Sequence, residues 1–386
     1  MDNEHPQHTR PKRWIACSTE EEYFGSSRKQ SRMERKRLSA KDRSKYKKTD
    51  RKKAEAAMEQ EIIDKRGCTE SHRGRVLSIT PQGMVVEHEG KTYTCSLRGL
   101  LKKEKRPLKN IVTVGDFVLF EEMPDNEGRI TQVEPRRSTL SRADTLSRRK
   151  EQLIAANIDQ VLITASIITP VLKPFLIDRY IIAAKKGKME PVILVNKIDL
   201  LEQPSIDAGI RKEQLALLDE CRRAYEHANI PFLPLSVVKE EGFDQLFQLM
   251  KGKASVFSGQ SGTGKSSLIN AMTGLNLPVG EIVHKTRKGG HTTTQAHLVP
   301  LKCGGWCIDT PGIKSFGIWD LKREELEGYF QEIYERGRLC RFPDCSHLHE
   351  KGCAVINDVE NGAISSLRYS SYQSLMETVV DAHQRR

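Results

Sequence analysis

The chain has 386 residues, enough for two or three domains, and a formal net charge of +12. No run approaches the about 18 consecutive apolar residues of a membrane-spanning helix, and the N-terminus has no apolar signal core. We therefore expect a cytoplasmic protein with no membrane partner. The nine cysteines are not spaced as a disulfide framework, and three of them cluster with a histidine near the C-terminus, which is typical of a metal site in a reducing compartment.

The positive charge is concentrated in residues 28–53, which hold 14 Lys or Arg against 3 Asp or Glu. Residues 1–72 have few large apolar residues and no hydrophobic periodicity, which predicts a mostly disordered basic extension with a helix over 51–64. Such an arm favours a polyanionic partner, and we take RNA as the leading interpretation. A solvated tail without a fixed target is the alternative.

Residues 73–136 contain five short β-type runs separated by turn residues such as Pro81, Gly83 and Gly90. This spacing predicts a small all-β barrel, and we expect an OB-fold that binds RNA. An SH3-like barrel has the same periodicity and stays open as an alternative. The next residues, 137–153, are rich in arginine and are predicted to form a linker.

Strand and helix patterns alternate over 154–320, which predicts a parallel sheet covered by helices. Helices are expected over 173–185 and 208–227. Apolar runs predict strands at 159–165, 191–195, 231–235, 254–258 and 305–308. The pattern then becomes helical, so a helical C-terminal domain is expected over 321–386, including a helix over 360–380.

A phosphate-binding pattern, Gly-Gln-Ser-Gly-Thr-Gly-Lys-Ser, occupies residues 259–266 between an apolar run and a helical one. Backbone N–H groups of the loop and of the helix start would bind phosphate oxygens. Lys265 would reach the β- and γ-phosphates, and Ser266 would ligate Mg²⁺. The residues expected to contact the nucleotide here are Gly259, Gln260, Ser261, Gly262, Thr263, Gly264, Lys265, Ser266 and Ser267.

The base is indicated by Asn-Lys-Ile-Asp at 196–199, directly after a predicted strand. The Asp199 carboxylate can accept the ring N–H and the exocyclic amine of guanine, and adenine presents neither donor on that edge. Each charged hydrogen bond contributes about 1.5–3 kcal/mol, so two of them discriminate strongly. Asn196 would brace the loop and the base edge, the Lys197 stem would cover the ring, and Ser236 is expected in a third base-contacting loop.

A further motif, Asp-Thr-Pro-Gly, stands at 309–312 after the last predicted strand. Asp309 would hold Mg²⁺ through water, and the Gly312 N–H would meet the γ-phosphate. The run Gly-Gly-His-Thr-Thr-Thr at 289–294 should supply the threonine that ligates Mg²⁺ and senses the γ-phosphate. Spacing favours Thr294, with Thr293 as the alternative.

The order of these motifs is unusual. Most GTPases run from the phosphate loop through D-x-x-G to N-K-x-D, whereas here N-K-I-D comes first. The same strands can form the sheet in either order, so a circularly permuted GTPase domain is predicted. The segment after Gly312 then leads directly into the C-terminal domain, which release of the γ-phosphate could move.

The C-terminal cluster has the spacing C-x4-C-x-H-x5-C, formed by Cys340, Cys345, His347 and Cys353. Three thiolates and an imidazole suit tetrahedral Zn²⁺, and four protein ligands predict a closed, structural site. His349 is a second imidazole that could replace His347.

Together these features resemble the bacterial ribosome-small-subunit-dependent GTPase family (RsgA, also called YjeQ) over roughly residues 73–386. The resemblance implies an OB-fold, a permuted GTPase domain and a zinc domain. It implies a late maturation factor that binds rRNA near the decoding centre of the small ribosomal subunit in its GTP state, is stimulated by that subunit, and leaves after hydrolysis.

The resemblance also implies catalytic residues. The family's catalytic histidine falls on His291, beside Lys265 and Thr294, and Ile313 stands where other GTPases have a catalytic glutamine. The alternative role of His291 is to order the switch loop or to touch rRNA. An RNA-binding protein with a non-cycling nucleotide domain is the competing function, and a monomer is expected in either case.

Overall fold

The computed structural model describes residues 71–97, 111–143, 151–274, 296–309 and 321–384. The basic extension with its predicted helix lies outside these ranges, as do His291, the threonines at 292–294, Gly312 and Ile313. Among the described helices, none combines the length and the apolar character needed to cross a bilayer.

A five-stranded barrel begins the described chain. Its strands are β1 (Ser71–Ile79), β2 (Met84–His88), β3 (Lys91–Leu97), β4 (Phe117–Met123) and β5 (Glu127–Val133). Antiparallel ladders join β1 to β2, β2 to β3 and β4 to β5; β3 runs parallel to β5, and β4 returns to β1 to close the barrel. Alternate side chains, such as Val76, Val86 and Phe120, are buried inside. The predicted barrel is confirmed, and it is OB-like.

Within the segment 137–153, predicted to be a linker, the structure describes residues 137–143 and 151–153, and most of these belong to a β-ladder. Strands β6 (Thr139–Ala143) and β7 (Glu151–Ala156) pair antiparallel. Leu140 is buried in the core shared with the main sheet, and Leu153 is also buried. The many arginines of this segment suggested an exposed connection, but a few apolar residues at alternating positions pack inward and make it part of the fold.

The main sheet contains β8 (Gln160–Ser166), β9 (Glu190–Asn196), β10 (Phe232–Pro234), β11 (Ala254–Ser258), β12 (His297–Pro300) and β13 (Trp306–Asp309). Its spatial order is β10-β9-β8-β11-β13-β12, with only the β12–β13 pair antiparallel. The barrel joins this sheet where Ser78 of β1 pairs with His297 of β12.

The position of β11 confirms the permuted order of the motifs. Strand β11 follows β10 in the chain but lies between β8 and β13 in the sheet. The carboxyl ends of β9, β11 and β13 therefore meet at one edge, and each leads into one of the three nucleotide motifs. Motifs that are far apart in the sequence thus become neighbours in space.

Helices cover both faces of this sheet, namely α1 (Pro174–Lys186), α2 (Ala208–His227), α3 (Phe243–Met250) and α4 (Lys265–Thr273). Successive residues of β8 face opposite sides, as the period of a strand requires. Ile163 belongs to the core shared with α1 and α2, and Leu162 to the core shared with α3 and α4. Asp207 caps α2 by accepting the N–H groups of Gly209 and Ile210 at 2.8 and 3.2 Å.

The described C-terminal part contains three short helices, α5 (Arg323–Leu326), α6 (Gln331–Gly337) and α7 (Ala354–Glu360), and one long helix, α8 (Ser366–Gln384). Their core includes Phe330, Ile333 and Tyr372 together with Ile182 of α1. The helix predicted over 360–380 is interrupted, because α7 ends before Gly362, whose φ is +74°, and α8 begins after it.

Candidate functional site

The phosphate loop connects β11 to α4, so the N-terminus of α4 points at the loop. Gly264, with a φ of +91°, immediately precedes α4. A Cβ atom at this position would lie 2.3 Å from Nδ2 of Asn196, so only glycine lets the two loops approach this closely. Ser266 and Ser267 lie in the first turn of α4, where anion-binding N–H groups are free of helical partners.

The Lys265 ammonium lies within this loop. Its Nζ donates to the carbonyls of Gly259 at 3.0 Å and Gln260 at 2.6 Å. The Thr263 hydroxyl also donates to the Gln260 carbonyl, at 2.9 Å. Ser261 and Gly262 at the loop tip are exposed. The loop thus holds a cation beside an exposed backbone surface.

Asn196, the last residue of β9, connects the base loop to the phosphate loop. Its Nδ2 donates to the Thr263 carbonyl at 2.9 Å, while its Oδ1 accepts the N–H of Lys197 at 2.8 Å and that of Val237 at 3.4 Å. The side chain is buried. One amide therefore connects three loops.

The other predicted base-contacting residues lie beside Asn196. Lys197 Nζ donates to the Gly262 carbonyl at 2.6 Å and to the Thr169 carbonyl at 2.7 Å. The Ser236 hydroxyl donates to Asp199 Oδ1 at 2.6 Å. Sequence reasoning missed Thr169, and no signal could have found it, because its contact comes from a backbone carbonyl.

The predicted magnesium set is only partly described. Ser266 is the second residue of α4. Asp309 is the last residue of β13, which runs parallel to β11 beside it. Both therefore stand at the sheet edge that carries the phosphate loop. Thr294 and Gly312, the residues predicted to sense the γ-phosphate, lie outside the described residues.

Cys340, Cys345, His347 and Cys353 converge, with their ligand atoms all within 4.8 Å of one another. The Sγ atoms of Cys340 and Cys353 are 3.7 Å apart, and Nδ1 of His347 lies 3.5 and 3.4 Å from them. A tetrahedron with Zn–S of about 2.3 Å and Zn–N of about 2.0 Å has edges of about 3.8 and 3.5 Å. The spacing of these donors therefore fits one Zn²⁺.

The choice between the two histidines follows from their orientation. His347 is 1% exposed, and its Nδ1 faces the thiols while its Nε2 lies 3.5 Å from Oε1 of Glu327. A carboxylate behind a ligating imidazole fixes the ring and its tautomer. His349 is exposed and stands outside the cluster. Glu327 was not predicted, since it precedes the motif by thirteen residues and belongs to a short 3-10 helix.

Glu350 organises the loop that carries this cluster. Its carboxylate accepts the Ser346 N–H at 2.8 Å and hydroxyl at 2.5 Å, and the N–H groups of Leu348 and His349 at 3.0 and 3.1 Å. Burial alone would raise the pKa of this carboxyl, but the hydrogen bonds hold it down to about 2. Glu350 is therefore ionised at neutral pH and keeps the loop in one conformation.

Comparisons with known proteins agree with this geometry. The family described as RsgA GTPase matches residues 133–319, and the RsgA N-terminal domain matches residues 73–130. The chain is 36% identical over 321 residues to "Small ribosomal subunit biogenesis GTPase RsgA" of Saccharophagus degradans, covering 80% of this chain and 90% of that protein. It is 36% identical over 323 residues to the protein of the same name from Chlorobaculum tepidum, covering 81% and 99%.

Two solved structures are also similar to this chain over most of its length. The crystal structure of YjeQ from Thermotoga maritima superposes with a TM-score of 0.65 and 31% identity, over 81% of this chain and 99% of that one. YloQ, described as a circularly permuted GTPase, superposes with a TM-score of 0.64 and 26% identity, over 81% and 96%. With its phosphate loop and base loop in contact, this chain is a GTPase that belongs to the RsgA family.

Proposed function

We propose that this GTPase is a late maturation factor of the small ribosomal subunit, which binds rRNA near the decoding centre in its GTP state and leaves after hydrolysis. The observation that carries the nucleotide half is the contact between two loops: Asn196 and Lys197 of the base loop bond to carbonyls of the phosphate loop. The ribosomal half is supported by the relatives, which are named small ribosomal subunit biogenesis GTPases.

In this proposal each loop contacts one part of GTP. Asp199 accepts the two guanine donors, while the N–H groups of residues 259–267 bind the phosphates. Lys265 leaves the carbonyls of its own loop and stabilises charge that develops on the β- and γ-phosphates. Ser266, Thr294 and Asp309 would hold Mg²⁺, which neutralises phosphate charge when bound.

The cysteine cluster would hold one structural Zn²⁺. Cys340, Cys345, His347 and Cys353 supply four ligands and leave no open position, so the metal would cross-link the loop before α7 rather than take part in hydrolysis. Glu327 would orient the imidazole from behind.

The partner in this proposal is rRNA, contacted by the OB-like barrel and the zinc domain, which flank the GTPase domain in the sequence. The basic segment 28–53 would add a salt-sensitive attraction through release of counterions. In this proposal the protein acts in the cytoplasm as a monomer and has no membrane partner.

Single-turnover GTP hydrolysis, measured with and without small ribosomal subunits, tests the proposed function. We expect slow hydrolysis by the chain alone and a large acceleration by subunits, because phosphoryl transfer depends on positioning the attacking water and the bound subunit would complete that positioning. Large subunits serve as the control and should not accelerate the reaction. GTP binding without any hydrolysis, in either condition, would favour the RNA-binding protein with a non-cycling nucleotide domain.

His291→Ala should keep nucleotide affinity and lose most of the subunit-stimulated turnover. Ile313 cannot orient water as glutamine does, so another group is needed, and His291 is the candidate nearest in sequence. General acid–base groups typically contribute about 10²–10⁴-fold to a rate. His297→Ala, a change at an exposed position of β12, is the matched control. Normal stimulated turnover of His291→Ala would exclude the catalytic role.

A further inference from the structure

A buried arginine joins the C-terminal helices to the nucleotide-binding sheet. Arg368 of α8 is 1% exposed. Its Nε donates to Oε1 of Glu332 on α6 at 2.7 Å, and its Nη1 donates to Oδ1 of the fully buried Asp178 on α1. The guanidinium also lies over the ring of Phe330, 4.4 Å from the centroid. The C-terminal helices therefore hold α1 by charge as well as by packing.

The same network reaches the first turn of α1. Ser371, three residues after Arg368 on α8, also faces Asp178 and opposes the rise of its pKa that burial causes. The hydroxyl of Tyr225 on α2 donates to the carbonyl of Pro174, the first residue of α1, at 3.2 Å. Burial, with the nearby charge of Asp178, raises the pKa of Tyr225 well above its usual value, so the hydroxyl remains a donor. The start of α1 is thus fixed against α2 and α8.

The residues just before α1 contact the nucleotide loops. The Thr169 carbonyl accepts both Lys197 Nζ at 2.7 Å and the Ser166 hydroxyl at 3.0 Å. Pro170 lies beside the phosphate loop, since a Cβ atom on Gly262 would be 3.6 Å from its Cδ. A displacement of the start of α1 would therefore move the Thr169 carbonyl, which accepts the hydrogen bond from Lys197. Lys197 precedes Asp199 by two residues, so the base loop would move as well.

We propose that Arg368 is a positioning residue for guanine recognition, acting through Asp178, Tyr225 and the segment before α1 on the base loop. Buried ionic clusters contribute little net stability compared with apolar side chains of the same volume, and specifying one arrangement is their best-attested use. Here the specified arrangement is that of α1 relative to the loops. The inference rests on the proposed contact of Asp199 with guanine.

The ratio of the Kd for IDP to the Kd for GDP tests the proposal on the full chain, because hypoxanthine lacks the exocyclic amine that Asp199 would bind. We expect wild-type protein to prefer GDP strongly. Arg368→Met should reduce this preference about tenfold, within the range that coupling through packed networks reaches. Arg368→Lys, which keeps a charge for Asp178, should restore part of it. A purely structural loss would lower the active fraction and leave the ratio unchanged.

The matched control is Arg336→Met, which removes the ion pair of Arg336 with Asp358 between α6 and α7 without touching α1. Its ratio should equal that of wild type. Ser371→Ala makes a smaller change in the same network and should lower the ratio in the same direction. An unchanged ratio in Arg368→Met and Ser371→Ala, or an equal fall in Arg336→Met, would overturn the proposal. A wild-type protein without preference for GDP over IDP would instead refute the role of Asp199 on which the proposal rests.

Discussion

Asp199→Asn should weaken GTP binding and turn the preference towards xanthosine triphosphate. The Ser236 hydroxyl donates to Asp199 Oδ1 at 2.6 Å, so an asparagine would keep its carbonyl oxygen there and present its NH₂ group to the base. That group can donate to the extra carbonyl of xanthine, but it cannot accept the guanine amine. Each charged hydrogen bond lost costs about 1.5–3 kcal/mol, or about tenfold to a hundredfold in affinity.

Equilibrium titration with GTP and xanthosine triphosphate checks this expectation. Glu202→Gln is the matched control, because Glu202 lies in the same short helix and pairs with Lys239 at the surface. We expect it to bind GTP as wild type does. Equal GTP affinity of Asp199→Asn and wild type would remove Asp199 from the nucleotide site.

Loss of zinc should have the largest effect on stability. We expect one zinc per chain in protein purified without chelators, and Cys340→Ser should abolish it. Structural zinc binding contributes about 10–16 kcal/mol in small domains, so the C-terminal helices should unfold at much lower temperature and become sensitive to protease. GDP should still bind, because the described residues of the nucleotide site lie between 166 and 309, but its preference over IDP should fall as in Arg368→Met if α8 unfolds.

Metal analysis and thermal unfolding measure the two parts of this prediction. Cys303→Ser provides the control, since Cys303 is a partly exposed cysteine outside the cluster. It should retain both zinc and stability. Less than half an equivalent of zinc in the wild-type protein would contradict the metal site.

Local patterns were sufficient for much of the architecture. The strand at 254–258 and the helix at 208–227 lie where the apolar periodicity predicts them, because each is specified by side chains that are close in sequence. Composition was less informative for the segment 137–153: its arginines dominate the local pattern, whereas the β6–β7 pairing and the burial of Leu140 in the core of the sheet depend on residues outside the segment.

The sequence also could not decide which of two histidines joins the cysteine cluster. The spacing of the motif admits both His347 and His349, since they are two residues apart in one loop. The loop conformation, which Glu350 organises, points His347 at the thiols and His349 at solvent. Only the folded loop could distinguish them.

The sequence by itself determined the chemistry of this protein: a phosphate loop at 259–266, a guanine-specific pattern at 196–199 and the permuted order of the two. These are contiguous runs, in which residue type and spacing carry the function. The tertiary structure alone decided how the parts are joined. Arg368 and Asp178 are 190 residues apart in the chain. The Thr169 carbonyl that accepts from Lys197 is a backbone group that every residue type possesses. No pattern of residue types could therefore predict this contact or the one between Arg368 and Asp178.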